Sequence, residues 1–280
     1  VYFFGGGHAD YAGNEIYKLA LNQASPVYSR LNDPTATVRT NENYYADGKP
    51  TSRHTYNAIV IRGTELVCVG GGGLWGTGSV DPAYTDVFDL TNLTWTTSVA
   101  SGGNWWACIN HATGDIYSVG PNAGYFRFRH LAADNTLTIL GNGAVDPYSA
   151  FGGVAYDSAH DRVWVIGNTD NVDAHYWEVG VGGSNPALTG TEVSAFDNGG
   201  AYPGFDYDSQ NDVILKVSGT GGTVYRLNCG TLACDAYSTT GVTPGNATNG
   251  VNARFRYIPD LKGFIYVPSW GNAYFLKTGT

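Results

Sequence analysis

The sequence predicts an all-β chain, a β-propeller of four-stranded antiparallel blades with six blades visible. Its 280 residues include 39 Gly, 20 Tyr, 11 Phe and 7 Trp, with only 14% charged. That composition suits short strands joined by tight turns better than helices. One pattern also returns along the chain: an apolar run ending on a small residue or proline, a loop, then an aromatic-rich strand. The run ends fall at Gly5, Gly70, Gly120, Gly167, Ser218 and Pro268, spaced by 65, 50, 47, 51 and 50 residues.

The elements follow in order. "VYFF" and "NEIYKLAL" read as the second and third strands of a first blade whose innermost strand is missing. Each later run is preceded by a strand and a turn, in "NAIVIRGTELVCV", "WACINHATGDIYSV", "GVAYDSAHDRVWVI", "GFDYDSQNDVILKV" and "RFRYIPDLKGFIYV". The Gly, Asp, Asn, Ser and Pro between them are what short hairpins require. Third strands follow in "TDVFDL", "YFRFRHL", "HYWEVGV", "TVYRLN" and "AYFLK", and fourth strands in "TWTTSV" and "TLTIL". The last blade lacks its outermost strand. Residues 1–280 are therefore expected to form one propeller domain, and a longer upstream segment would allow seven blades. The chain has no methionine and opens in mid-hairpin, so such a segment is expected.

One blade carries a sharper likeness. "VCVGGGG", then "YTDVFDLTNLTW", has a multiple glycine closing the second strand, an aromatic and an Asp in the third, and Trp95 opening the fourth. It resembles the Kelch repeat, the blade type of the galactose-oxidase central domain, and "FFGGGH" with "NEIYKLAL" is similar. The resemblance implies a propeller like those of bacterial surface and phage proteins, a module of a larger secreted, cell-surface or virion assembly. It also raises copper-radical oxidation, but Cys108 in "NWWACIN" is the one inner-strand cysteine and no motif supplies the ligand set. No cofactor is expected.

Formal charge is −9, with 15 Lys plus Arg and no basic run, so the phosphate attraction that dominates nucleic-acid affinity is missing. No apolar stretch approaches the roughly 20 residues that cross a bilayer, so no membrane insertion is expected. Cys229 and Cys234 flank a short turn that a disulfide could close, whereas Cys68 and Cys108 read as buried thiols. With sequons at Asn92 and Asn246, the pair leans towards an extracellular, cell-surface or virion location.

Propeller geometry then sorts the loops. Bottom turns are short ("RGTE", "HATGD", "DSAHD", "DSQND", "PDLKG"), while loops on the top face are long, aromatic and polar. Long loops on a rigid scaffold are where binding resides. The ligand-binding candidates there are His8, Asp10, Tyr11, Asn14, Tyr44, Tyr45, Trp75, Tyr84, Trp105, Trp106, Tyr202 and Trp270. Aromatic faces beside Asn and Asp suit stacking on sugar rings, and also protein recognition. Trp95 and Trp164 fall in strands and are expected to pack between blades.

The expected partner is thus a glycan or a surface-protein ligand. A second reading is a polysaccharide lyase, with His54 as base or acid, Tyr56 as its partner, Arg53 facing a uronate carboxylate, and His8 nearby. Its structural counterpart is that Arg53 and His54 make hydrogen bonds between blades. A third is a self-assembling subunit that contacts neighbouring copies. Asp170 and Asp173 in "DNVDAH" flank a turn, but neither spacing nor ligand number matches a calcium loop. The opening glycines lead into a strand, so no helix N-terminus is there to hold phosphate. His111 and His160 sit in bottom turns and are expected to face solvent; His130 falls in a strand and His175 borders a top loop.

Overall fold

A computed structural model describes residues 1–6, 11–76, 80–96, 99–100, 105–122, 125–143, 152–166, 174–184, 186–197, 202–218, 222–241, 244, 246–247, 250–269 and 272–279. The chain is a six-bladed β-propeller of small antiparallel sheets, and the α-helix among the described residues is a five-residue one, Val193–Asp197. By contact density it divides into two compact units: Val1–Ser118 with Leu131–Leu137, and Val119–His130 with Thr138–Thr280.

In the first unit, blade one is a three-stranded sheet of Tyr2–Phe3, Tyr17–Leu19 and Tyr28–Arg30. Blade two orders Ile59–Arg62, Glu65–Val69, Tyr84–Asp89 and Val99–Ala100, with Thr94–Trp95 also paired to Tyr84–Asp89. A ribbon of Arg53–His54 against Gly72–Leu74 is added beside it. Trp106–Ile109 begins blade three, whose sheet continues through Ile116–Asn122, Tyr125–Leu131 and Leu137–Gly143.

Glu65–Val69 shows why these second strands read as unbroken apolar runs. Side chains alternate across a strand; here Leu66 and Cys68 join Phe4, Ile16 and Phe88, while Val67 and Val69 join Val60, Val87, Ala107 and Ile116. Both faces of the strand are therefore core. The Arg62 to Glu65 hairpin turns on Gly63, where φ is +57° and the space around the missing side chain is open. Backbone conformation alone accounts for glycine at that corner.

In the second unit, blade four is Gly153–Asp157, Arg162–Ile166, His175–Glu178 and Gly182–Ser184. Blade five is Gly204–Asp208, Val213–Val217, Val224–Asn228 and Ala233–Tyr237. Thr189–Gly190 lies parallel to the last of these, a pairing the repeat pattern did not announce. Blade six has three strands among the described residues, Phe255–Ile258, Gly263–Ser269 and Asn272–Lys277.

The two-faced pattern recurs in Val213–Val217. Ile214 packs towards Trp164, Phe205 and Leu227; Val213, Leu215 and Val217 pack towards Phe255, Phe264 and Tyr266. Lys216 shares the parity of Ile214 and is fully buried. Its ammonium donates to the carbonyls of Ala195 (2.8 Å) and Phe196 in the short helix, which supplies the partners that a buried charge needs and satisfies carbonyls left open at a helix end.

Blade-to-blade contact explains two further glycines. A Cβ at Gly153 would lie 2.6 Å from Cβ of Phe205, and one at Gly204 would lie 2.5 Å from Cβ of Phe255. Each glycine opens an inner strand and lets the next blade's aromatic close over it. Cys229 and Cys234, expected as a possible disulfide, are not bridged to each other: both are fully buried in the cluster around Trp164, and the residue paired with Cys234 across the hairpin is Leu227.

Two glycines with opposite reasons make a test. Gly204→Ala forces side-chain or backbone shifts and should lower unfolding free energy by about 1–3 kcal/mol. Gly63→Asn, at an open left-handed position that Asn tolerates, should change it by less than about 1 kcal/mol in the same urea titration.

Candidate functional site

In the first unit, Arg53 and His54 sit on adjacent residues of a strand, opposite Leu74 and Gly72, with a register shift between them. Alternation sends them different ways. Arg53 is 1% exposed, and its Nη1 lies 2.9 Å from Oδ2 of Asp86, itself 2% exposed. The same guanidinium donates to the carbonyls of Thr51 (Nε, 3.1 Å) and Gly70 (Nη1, 3.3 Å). On the other side of Asp86, the Tyr44 hydroxyl donates to Oδ1 at 3.0 Å. Burial pushes the Asp86 carboxyl above its ordinary value, against Arg53 and Tyr44, which both favour the carboxylate. Cys68, register partner of Asp86, is fully buried and its thiol is pushed up to about 12 by desolvation. It is therefore inert as a nucleophile.

His54 is half-buried and begins a row of rings. Its imidazole meets Tyr56 edge-on with centroids 4.9 Å apart, Tyr56 lies 5.8 Å from Trp105, and Trp105 lies 6.2 Å from Trp106. Gly72 makes room for this row: a Cβ there would lie 2.7 Å from Cε2 of Tyr56 and 3.4 Å from Nε1 of Trp105. Tyr56 has φ of +43°, a left-handed conformation that costs a bulky residue of order 1–3 kcal/mol. Strain of that size, held by surrounding structure, is an outlier characteristic of functional positions.

A cleft of about 750 Å³ opens in the same unit, lined among others by Asn32, Asp33, Tyr44, Asp47, Asp86 and Trp95. Tyr44 packs its ring 5.5 Å from Tyr84. Trp95 packs against Phe4 and Phe88 at 5.0 and 5.2 Å, as its strand position implied, while its indole N–H is buried with no hydrogen-bond acceptor. Asp86 thus lines the cleft on one side and holds Arg53, next to the ring row, on the other. Sequence reasoning passed over Asp33 and Asp47, which line the cleft, and Asp86, the buried partner of Arg53. The signal for Asp86 was present in "YTDVFDL", an acid at an inward position of an apolar strand.

Several residues expected to meet a ligand are scaffold. Asn14 is fully buried: Nδ2 donates to Thr35 Oγ1 (3.0 Å) and to the Pro50 carbonyl (2.9 Å), and Oδ1 accepts from Thr35 N (2.8 Å). Tyr45 is 2% exposed and donates to the Ala12 carbonyl at 2.6 Å. Trp106 is buried within a strand, and Arg53 faces Asp86. Arg53, expected to face a uronate carboxylate, has its charge matched inside the protein by Asp86.

Others remain displayed. Tyr11 is exposed, and its hydroxyl donates to Glu15, which, with some desolvation, pushes the phenol up to about 12. Trp75 is half-buried, its backbone N–H bonded to Ser52 O at 2.8 Å beside the Arg53 strand. Tyr202, in the second unit, is left-handed at φ +63° and accepts Val251 N–H at 2.8 Å. His8, Asp10, Trp270, Asp170 and Asp173 lie outside the described residues. His160, expected in solvent, is half-buried between carboxylates.

No protein-family model matches the sequence, and no curated protein matches it. Solved structures do. Hydrazine synthase of Kuenenia stuttgartiensis is 12% identical, with 94% of this chain and 77% of that one covered and a TM-score of 0.53. A luciferin-regenerating enzyme is 11% identical over 93% and 82%, with a TM-score of 0.52. A structural-genomics protein of unknown function from Bacteroides thetaiotaomicron is 11% identical over 82% of this chain, at a TM-score of 0.50. The chain spans 57% of that protein's length. At such identities the likeness shows the fold alone. The class defined is a six-bladed β-propeller, and the likeness goes no finer.

Scaffold and displayed residues should separate experimentally. Asn14→Ala leaves Thr35 N–H and the Pro50 carbonyl unpaired in the interior and should cost about 1–3 kcal/mol in a urea titration. Tyr11→Phe removes one donor from the Glu15 carboxylate but leaves the Tyr17 hydroxyl on it at 2.9 Å, and should cost less, under about 1 kcal/mol.

Proposed function

We propose that the chain is a Kelch-like propeller module that binds glycan through the ring row of His54, Tyr56 and Trp105, within a larger secreted, cell-surface or virion assembly. The observation that carries this reading is Tyr56: a bulky residue held left-handed, with its ring between an imidazole and an indole. Aromatic faces stack on the C–H faces of sugars, and neighbouring amides and carboxylates take the hydroxyls. Asn32, Asp33 and Asp47 in the cleft are groups of that kind in the same unit.

The contact of His54 with Tyr56 also supports a lyase reading, since an imidazole and a phenol side by side are an acid–base pair. Against it stands Arg53, which is buried on Asp86 and leaves a uronate carboxylate without its expected cation. Binding without chemistry is therefore the preferred function.

The test is titration of the chain with a panel of neutral and uronate-containing oligosaccharides, read by tryptophan fluorescence and calorimetry. Saturable binding is expected, weakened about 10- to 100-fold in Trp105→Ala, since a lost stacking contact is worth about 1–3 kcal/mol. Unsaturated uronate, seen as new ultraviolet absorbance, is not expected. The proposal fails if no glycan binds or if Trp105→Ala binds as well as the wild type.

A further inference from the structure

Blades four, five and six carry the same first hairpin, and comparing its copies exposes a site that the glycan reading does not use. In "DSAHD" and "DSQND" the leading Asp closes the turn: Asp157 Oδ1 accepts Ala159 N (3.1 Å) and His160 N (3.2 Å), and Asp208 Oδ1 accepts Gln210 N (3.0 Å) and Asn211 N (3.2 Å). The turn's last residue is left-handed in all three copies, with φ of +54° at Asp161, +53° at Asp212 and +52° at Lys262. The residue just after the third strand then reaches that last residue from across the sheet, Cys229 N donating to Asp212 O and Thr278 N to Lys262 O.

These equivalences match two junctions residue for residue. Between blades five and six stand Asp208, Asn211, Lys262 and Thr278; Asn211 Nδ2 donates to Asp208 Oδ2 at 2.7 Å, and the Thr278 hydroxyl donates to the same oxygen. Between blades four and five stand Asp157, His160, Asp212 and Cys229. Asn has become His, Lys has become Asp, and Thr has become Cys. The first two changes replace a neutral amide and a cation with an imidazole and a carboxylate, the groups that bind transition metals. The cysteine keeps the donor role, its thiol hydrogen-bonded to Asp157.

Geometry has followed chemistry. His160 Nδ1 lies 2.9 Å from Asp157 Oδ2 and 3.6 Å from Asp212 Oδ1, and the three donor atoms fall within 4.8 Å of one another. Ligand atoms around a tetrahedral zinc ion, bound at about 2.0–2.2 Å, lie about 3.3–3.6 Å apart. Asp157 is fully buried, and the Asp212 carboxylate is further held by the Tyr207 hydroxyl at 3.0 Å. The one guanidinium in the hairpin, Arg162, is paired with Glu178 at 3.2 Å and stacked on Tyr176.

We infer that Asp157, His160 and Asp212 form a divalent transition-metal site, suited to zinc, that clamps blade four to blade five. Two carboxylates and one imidazole favour zinc over calcium, which takes six to eight oxygens. On binding, Nδ1 exchanges its hydrogen bond to Asp157 for the metal, and the ring proton resides on Nε2. The thiol of Cys229 and the hydroxyl of Tyr207 hold the two carboxylates in place, as partners of ligands do in built metal sites.

The repeat supplies its own control variants. His160→Asn and Asp212→Lys install the residues of the next junction, so the turn should form in both. Chelator-stripped protein dialysed against buffered zinc chloride is expected to bind one zinc per chain and to gain several degrees in Tm. Both variants should bind at least 100-fold more weakly and lose the Tm gain, while His111→Ala binds as the wild type. In the wild type, zinc should protect His160 from diethyl pyrocarbonate, read by peptide mass spectrometry. This measurement holds even where a variant misfolds. The inference is overturned by absence of stoichiometric binding, by His160→Asn binding like the wild type, or by His160 being modified equally with and without zinc.

Discussion

Arg53 and Asp86 are sealed from water together, and much of the first unit is arranged around that pair. Removing two charges from water costs several kcal/mol each, so the pair stands only because further groups complete it. Thr51 and Gly70 carbonyls accept from the guanidinium, and Tyr44 donates to the carboxylate. The Arg53 carbonyl also accepts Gly6 N–H at 3.3 Å, bringing the glycines of blade one to the same point. With Arg53 fixed inward, strand alternation leaves His54 on the opposite side, where Tyr56 and Trp105 meet it. The ion pair thus sets the direction of the rings.

The second unit rests on a different economy, one turn used repeatedly with changed side chains. Gly153 and Gly204 both admit the next blade's aromatic, and Asp157 and Asp208 both close the hairpin that follows. Because the backbone is constant, the side chains at His160 and Asn211 stand in equivalent places. Differences between copies are then chemical ones, made on a fixed frame.

The fold was legible because its signals are local. Run ends near every 50 residues, period-2 apolar strands and Gly or Asp corners lie within a few residues of one another, and the second strands read as continuous runs because both faces are core. The site was legible only in part. The sequence pairs His54 with Tyr56 but gives no sign that Trp105 joins them, and Arg53, Asn14, Tyr45 and Trp106 point inward. Their segments are too short and irregular for alternation to fix the phase, and the partner that turns Arg53 inward lies 33 residues along the chain. A buried salt bridge between distant segments leaves no local pattern. Nor does the 3.6 Å approach of Asp212 to His160, two turns from neighbouring blades.

A double-mutant cycle on Arg53→Met and Asp86→Leu, followed by urea unfolding, tests most directly whether the pair organises the first unit. Each single change leaves an uncompensated buried charge and should cost about 3–5 kcal/mol, while the double should cost far less than their sum. Additive losses would show that the two charges are not coupled, and would contradict the account.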